Sequence, residues 1–90
     1  MKITFDPAKR MKTLAERGVD FADARFVFEG LTFTLLDDRF DYGEDRYQIY
    51  GQLQGRLVTV VWTPRGADRH VISMRKCNDR EKARYRKQLT

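Results

Sequence analysis

The sequence has one cysteine and one histidine, and it has no long apolar run. A disulfide needs two cysteines, so Cys77 cannot form one within the chain, and Cys77 with His70 provides no zinc-binding cluster. An acid–base mechanism built on two histidines is excluded as well. No stretch approaches the length of a membrane span, and the charged N-terminus lacks the apolar segment of a signal peptide. The sequence therefore predicts a cytoplasmic protein of a bacterial kind, with no membrane association, no metal and no cofactor.

The chain is short and basic. Its 90 residues include 18 Lys and Arg against 13 Asp and Glu, which gives a formal net charge of +5. A chain of this length makes a single domain with a thin core, so we expect one sheet with helices packed on it over residues 1–90. The positive charge favours polyanionic partners, above all nucleic acid.

The first third of the chain predicts a strand followed by two helices. The strand, 2–5, ends at Asp6, and Asp6 and Pro7 suit the N-cap and the first position of a helix. Met11, Leu14, Ala15 and Gly18 fall on one face of this helix, with Gly18 as its C-terminal cap. Asp20 is placed to cap a second helix. Its apolar stripe consists of Phe21, Ala24, Val27, Phe28 and Leu31. We therefore expect a helical hairpin packed against the sheet.

The rest of the chain predicts strands and a final helix. Strands are expected at 32–36, 46–53, 57–63 and 70–75, with an acidic loop at 37–45 and a tight turn at Gln54-Gly55. Asn78 and Glu81 stand in a capping-box arrangement at the start of the last helix. The predicted fold class is α+β, in the order strand, two helices, three or four antiparallel strands, and helix.

Three arginines stand at the ends of these strands: Arg46 opens one, Arg65 closes the next and Arg75 closes the last. Strand ends of a small sheet lie close together, so the three guanidinium groups are expected to converge on one patch, as in a phosphate site. Strict alternation alone does not make Arg65 and Arg75 neighbours, and strand twist would have to help. The alternative is solvated arginines or ordinary ion pairs. Their available partners are Asp68, Glu44 and Asp79.

Other candidate residues are more ambiguous. Glu44, two residues before Arg46, suits a general base held ionised by an arginine, or else a surface salt bridge. His70 shares the parity of Ile72 and Met74, which predicts the apolar side of its strand and argues against an acid–base role. Tyr85 fits either the core or the rim of a site.

The last helix is strongly basic, which suits phosphate contacts, an acidic partner or a solvated face. Its cationic residues, counted from the end of the last strand, are Arg75, Lys76, Arg80, Lys82, Arg84, Arg86 and Lys87.

In order along the chain, six segments resemble the BrnT family of toxins from type II toxin–antitoxin modules. Each is a weak match alone, but together they cover nearly the whole chain. The segments are Phe5 to Lys9, Gly18 to Phe28, Gly43 to Arg46, Val60 to Arg65, Ile72 to Arg75 and Glu81 to Tyr85. The sequence departs from the family's pattern in three places: Arg17 replaces a histidine, Thr13 an asparagine and Met74 an alanine.

The resemblance implies a RelE-like fold, with the order β-α-α-β-β-β-α and a small antiparallel sheet, and an endoribonuclease that halts translation. It also implies a cognate, BrnA-like antitoxin that carries a DNA-binding domain, so that operator DNA is bound only through the complex. On this basis we expect Arg65 and Arg75 to hold the RNA phosphate with help from Arg46. Glu44 is then the candidate base, and Tyr85 or Lys9 the candidate acid. The competing interpretation is a non-catalytic module, or degenerate toxin, that binds nucleic acid or the antitoxin.

Overall fold

The computed structural model of the chain describes residues 2–89, and for residue 89 the backbone only. Over this range the fold is α+β, with a five-stranded sheet and three α-helices. A short 3-10 turn, Phe21–Asp23, precedes the second helix. The strands are β1 Ile3–Thr4, β2 Phe33–Leu36, β3 Tyr47–Leu53, β4 Arg56–Arg65 and β5 Asp68–Lys76. The helices are α1 Pro7–Arg17, α2 Ala24–Glu29 and α3 Asp79–Leu89.

The sheet has the order β1-β5-β4-β3-β2. Strands β2 to β5 pair antiparallel with their neighbours, as expected, whereas β1 pairs parallel with β5. Two details of the expected sheet are therefore wrong. Four strands follow the helices, so the order with three is one strand short. The sheet is mixed because the chain passes from β1 at one edge to β2 at the other and then returns, so that β5 lies parallel to β1.

The helix boundaries agree with the capping residues in the sequence. The Asp6 carboxylate accepts a hydrogen bond from the N–H of Ala8 at 2.9 Å, and Pro7 occupies the first position of α1. Gly18, at φ 69°, ends the helix. At the other end of the chain Asn78 and Glu81 each accept a hydrogen bond from the other's backbone N–H, at 2.9 and 3.0 Å. The predicted capping box of α3 is confirmed.

One face of the sheet carries the main core. Val58, Val60, Val71 and Met74 point towards the 3-10 turn and α2, which contribute fully buried side chains. Those side chains are Phe21, Ala24 and Val27.

Helix α1 buries no residue, and Met11 is 63% exposed. The expectation that α1 packs its apolar face on the sheet is therefore wrong. The 3-10 turn and α2 already cover that face, so α1 lies along the edge beside β5, where Arg17 donates a hydrogen bond to the carbonyl oxygen of Met74 at 3.2 Å. No helix within residues 2–89 is both long and apolar enough to cross a membrane.

Candidate functional site

The opposite face of the sheet is only partly covered. A smaller apolar cluster of Tyr50, Leu57, Cys77 and Tyr85 packs α3 over one end of it. Since alternate residues of a strand point to opposite faces, the side chains of β4 that follow Leu57 on this face are Thr59, Val61 and Thr63. Their cross-strand partners include Arg75, Ser73 and His70. We call this surface, beyond the cover of α3, the open face. Val61, Ser73 and His70 are half-buried on it, whereas Thr59 and Thr63 are buried.

His70 lies at the end of the open face that is remote from α3. It pairs across the strands with Thr63 on β4 and with Thr4 on β1. The Thr4 hydroxyl and Nδ1 of His70 are 2.8 Å apart, a hydrogen bond that fixes the orientation of the imidazole ring. Thr63 in turn donates a hydrogen bond to the carbonyl oxygen of Asp45 at 2.6 Å, which ties the end of the 37–45 loop to this part of the sheet.

The charges of four side chains act on the pKa of His70. Burial lowers the pKa of His70 below its usual 6.5, and the positive charge of Arg65 lowers it further. Glu44 opposes this effect, Lys9 adds to it and Asp6 opposes it. A lowered pKa leaves the imidazole neutral at neutral pH, and a neutral imidazole can accept a proton. Three residues selected from the sequence, Lys9, Glu44 and Arg65, therefore lie close enough for their charges to act on a histidine that the strand parity had set aside.

A β-bulge explains why the parity argument failed for His70. Val61 pairs with Ser73, but the next residue of β4, Trp62, pairs with Val71. Ile72 is therefore an extra residue in β5. The alternation of side chains between the two faces is offset by one residue between the part of β5 before Ile72 and the part after it. Met74 stays in the core while His70 turns to the open face. A bulge leaves no clear signature in a single sequence, so strict alternation gave the wrong side.

The three strand-end arginines do not converge. Arg65 pairs with Asp68 beside the β4–β5 turn, whereas Arg75 pairs with Thr59, six residues back along β4. At about 3.3 Å per residue, that separation is about 20 Å. The expected single patch of Arg46, Arg65 and Arg75 is therefore wrong, because β4 and β5 form a hairpin whose two ends carry Arg65 and Arg75.

Arg75 instead shares a cavity with two other arginines. This cavity of about 190 Å³ lies on the open face between Arg17 of α1 and Arg39 of the 37–45 loop. Its remaining lining residues are Gln48, Thr59, Val61 and Ser73. Neither Arg17 nor Arg39 stands at a strand end, so the pattern that selected Arg75 did not select them. The replacement of a family histidine by Arg17 was the one sequence signal that pointed here.

Two of these arginines are held by carboxylates. Arg75 makes a two-pronged ion pair with Glu81, at 2.8 and 2.7 Å, and this guanidinium lowers the pKa of Glu81 to about 2. Arg39 makes an equivalent pair with Asp37, at 2.8 and 2.9 Å, and lowers the pKa of Asp37 to about 2. The Asp37 side chain is only 1% exposed, whereas Arg39 remains 63% exposed. Arg75 is therefore an ion-paired arginine, as the alternative interpretation held, although Glu81 was not among the partners considered.

Arg46 and Tyr85 occupy other environments. The Arg46 guanidinium lies over the Tyr42 ring, 4.0 Å from its centre, and its buried Nε has no hydrogen-bond partner within the described residues. Tyr85 is buried, and its hydroxyl donates a hydrogen bond to the carbonyl oxygen of Leu31 at 2.8 Å. Burial raises the pKa of this phenol. Tyr85 thus fastens α3 to the segment before β2, and it is not brought to the cluster around His70.

Within residues 2–89, no three His, Cys, Asp or Glu side chains lie close enough together to hold a metal ion. The chemistry that the open face can offer comes from guanidinium, ammonium, imidazole and carboxylate groups. A neutral imidazole with cations beside it suits proton transfer next to a developing negative charge, and a set of arginines suits the binding of phosphate.

The family model described as "Ribonuclease toxin, BrnT, of type II toxin-antitoxin system" matches residues 5–81. The chain therefore belongs to the BrnT family of ribonuclease toxins. The matched span contains His70 and all the candidate site residues except Tyr85. A search among curated proteins finds no match.

Proposed function

We propose that this protein is an endoribonuclease that cleaves RNA without a metal ion, inhibits translation and acts on the open face of its sheet. The observation that carries the proposal is the cluster at the end of that face, where Thr4 holds His70 by a hydrogen bond and the charges of Lys9, Glu44 and Arg65 act on the imidazole. Family membership supplies the reaction class, and this cluster supplies the groups that the reaction needs.

The reaction uses the 2′-hydroxyl of the RNA as its nucleophile. The 2′-oxygen attacks the adjacent phosphorus while the bond from phosphorus to the 5′-oxygen breaks, which yields a 2′,3′-cyclic phosphate and a 5′-hydroxyl. One proton leaves the 2′-hydroxyl and one is delivered to the 5′-oxygen. Negative charge builds on the non-bridging phosphate oxygens in between, and preorganised cations stabilise it.

We assign these tasks to the cluster as follows. His70 in its neutral form accepts the proton from the 2′-hydroxyl, and the Thr4 hydroxyl orients the ring. Arg65, which makes no ion pair within residues 2–89, stabilises the charge on the phosphate. Lys9 is the candidate acid for the 5′-oxygen, and Glu44 is the alternative base. Tyr85, whose hydroxyl is occupied in the core, takes a structural role, and Arg46 supports the loop that carries Glu44.

The toxin role also implies a protein partner that neutralises the toxin. We propose that a cognate, BrnA-like antitoxin neutralises this protein and that the complex binds operator DNA through the antitoxin's own DNA-binding domain. The same proposal includes the RelE-like topology that the resemblance implies.

The test is cleavage of a purified RNA in the presence of a chelator, with mass analysis of the new ends. The wild-type protein should give cyclic phosphate and 5′-hydroxyl termini. His70→Gln should lower the rate by about 100-fold or more, as is typical for the loss of a general base. Arg25→Gln is the matched control, because Arg25 is exposed on α2 and stacks on Phe26.

Ribosome-bound RNA is assayed in parallel by inducing the same variants in a bacterial host and mapping the 5′ ends of the cellular RNA. Growth arrest with cleavage that depends on His70 supports the proposal. Intact RNA in both assays, from a folded protein that still binds RNA, would favour the non-catalytic binding module. Cleavage that His70→Gln leaves unchanged would overturn the assignment of the base.

A further inference from the structure

We propose that the cavity between Arg17, Arg39 and Arg75 is a second phosphate-binding subsite, so that the substrate is a single RNA strand laid along the open face. This inference rests on the proposed function and adds to it a binding site and a minimum substrate length. The phosphate bound here is not the one that is cleaved.

The cavity spans Thr59 and Val61 of β4, and His70 pairs with Thr63, two residues further along the strand. His70 pairs with Thr63 and Arg75 pairs with Thr59, four residues back along β4, while Arg65 lies two residues beyond Thr63. Along β4, the position of His70 is therefore about 13 Å from that of Arg75, and the position of Arg65 is about 20 Å from that of Arg75. Two phosphates of one strand can therefore be held at the two ends at the same time. A stacked nucleic-acid strand rises about 3.4 Å per nucleotide, so about four to six nucleotides would reach from one end to the other.

The arginines of the cavity have donors available for a ligand. The Nε and Nη2 of Arg39 bond to Asp37, which leaves its Nη1 outside that pair, and the Tyr42 hydroxyl also interacts with this guanidinium. Both terminal nitrogens of Arg75 bond to Glu81, whereas its Nε makes no hydrogen bond there. Arg17 donates only from Nη1, to a backbone carbonyl. Guanidinium groups that line one cavity and keep donors outside their ion pairs match the oxygens of a phosphate.

The carboxylates orient these arginines without cancelling them. Three guanidinium groups against Asp37 and Glu81 leave the cavity with a net positive charge. Each two-pronged pair fixes a flexible side chain before the ligand arrives, which reduces the conformational entropy lost on binding. Gln48, Thr59 and Ser73 add neutral hydrogen-bonding groups to the same cavity. The arrangement suits a site that positions RNA, because charge stabilisation at the reacting phosphate calls for cations that are not already neutralised.

The experiment measures binding of non-cleavable 2′-O-methyl oligonucleotides of two to ten residues, at several salt concentrations. For the wild-type protein, affinity should rise steeply between about three and seven residues, as the strand reaches the second subsite. Arg17→Gln should remove this rise, weaken binding of the long oligonucleotides about tenfold and leave that of the shortest unchanged. It should also reduce the slope of log K against log salt by about 0.7, the value for one phosphate contact on a single strand.

Two variants keep the result interpretable. Arg17→Lys preserves the charge and should restore most of the affinity, and Arg25→Gln removes one positive charge elsewhere and should behave as the wild type. A smooth dependence on length, or an equal loss for short and long oligonucleotides in Arg17→Gln, would overturn the subsite. So would Arg17-dependent binding of an acidic peptide without any length effect for RNA, since the cavity would then serve a protein partner.

Cleavage is scored separately. A length effect without cleavage would sustain the subsite and sink the proposed ribonuclease function. Cleavage without a length effect would support the ribonuclease function and overturn the subsite.

Discussion

The two ends of the open face carry cations in different states. Around His70, the side chains of Lys9 and Arg65 make no hydrogen bond or ion pair within residues 2–89, and their charges act on the histidine through space. At the other end, Arg39 and Arg75 are each held by a carboxylate in a two-pronged pair. Both ends are basic, but one offers unpaired charge and the other offers arginines in fixed positions.

This difference bears on what each end can do. Unpaired cations beside a titratable group change its pKa and can respond to charge that develops during a reaction. Arginines that are already paired gain less from a new negative charge, but they hold a defined geometry that favours recognition. In the proposed function, we therefore assign chemistry to the His70 end and positioning to the Arg75 end.

The largest effects are expected when one arginine is removed from each end of the open face. Arg65→Gln should lower kcat by about 100-fold with little change in KM, because it removes a cation that acts in the transition state. Arg75→Gln should raise KM by about tenfold with a smaller effect on kcat, because it removes a contact present before and during the reaction. Steady-state kinetics on an RNA of at least eight nucleotides would measure both. An equal loss of kcat in the two variants would remove the distinction between the ends.

A smaller effect is expected from the residue that orients His70. Thr4→Val keeps the shape of the side chain but removes the hydroxyl that is 2.8 Å from Nδ1. Activity should fall about fivefold, in line with the loss of one neutral hydrogen bond, and Thr4→Ser should restore it. Loss of activity in Thr4→Ser as great as in Thr4→Val would mean that the methyl group, and not the hydroxyl, is what matters here.

At the other end, Glu81→Gln should weaken both the fold and the binding of RNA. Gln can still close the capping box of α3, so the variant removes mainly the charge that holds Arg75 and should cost about 1 kcal/mol of unfolding free energy at neutral pH. The pKa of Glu81 is lowered from 4.5 to about 2 in the folded protein, mainly by the hydrogen bonds from Arg75. A lowered folded-state pKa stabilises the fold above pH 4.5, and this contribution is lost as the pH falls towards 2.

Thermal unfolding between pH 2 and pH 7 would check this prediction. The wild-type protein should lose more stability across the window than Glu81→Gln does, and Glu29→Gln serves as a control carboxylate on α2. Parallel pH profiles for the wild type and Glu81→Gln would show that the pair between Arg75 and Glu81 contributes nothing to acid sensitivity.

The smallest expected effect is a shift in the pKa of His70. As the single histidine of the chain, it can be followed by NMR without assignment ambiguity. Its pKa should lie below 6.5 and should rise towards 6.5 in Arg65→Gln, because the nearby positive charge is then gone. Arg75→Gln should leave it where it is, since Arg75 is not among the charges that act on His70. A shift of the same size in both variants would contradict the separation of the two ends.

Local features of the fold follow closely from the sequence. Asp6, Pro7 and Gly18 bound α1, Asn78 begins α3, and the Gln54-Gly55 turn joins β3 to β4 with both residues at positive φ. Each of these depends on interactions within a few residues, so the sequence pattern contains the necessary information. The packing of α1 was not predictable in this way, because it depends on which other elements cover the core face of the sheet.

For the candidate site, the sequence by itself determined the residue types and the chemistry available: a basic chain, one histidine, candidate cations and carboxylates, and a resemblance that selected Lys9, Glu44, Arg65 and Arg75. The tertiary structure decided how they are grouped. The extra residue in β5 turned His70 to the open face, the hairpin of β4 and β5 separated Arg65 from Arg75, and Arg17 and Arg39 joined Arg75 from distant parts of the chain. Strand register and the docking of loops depend on contacts between residues far apart in sequence, and local patterns do not encode them.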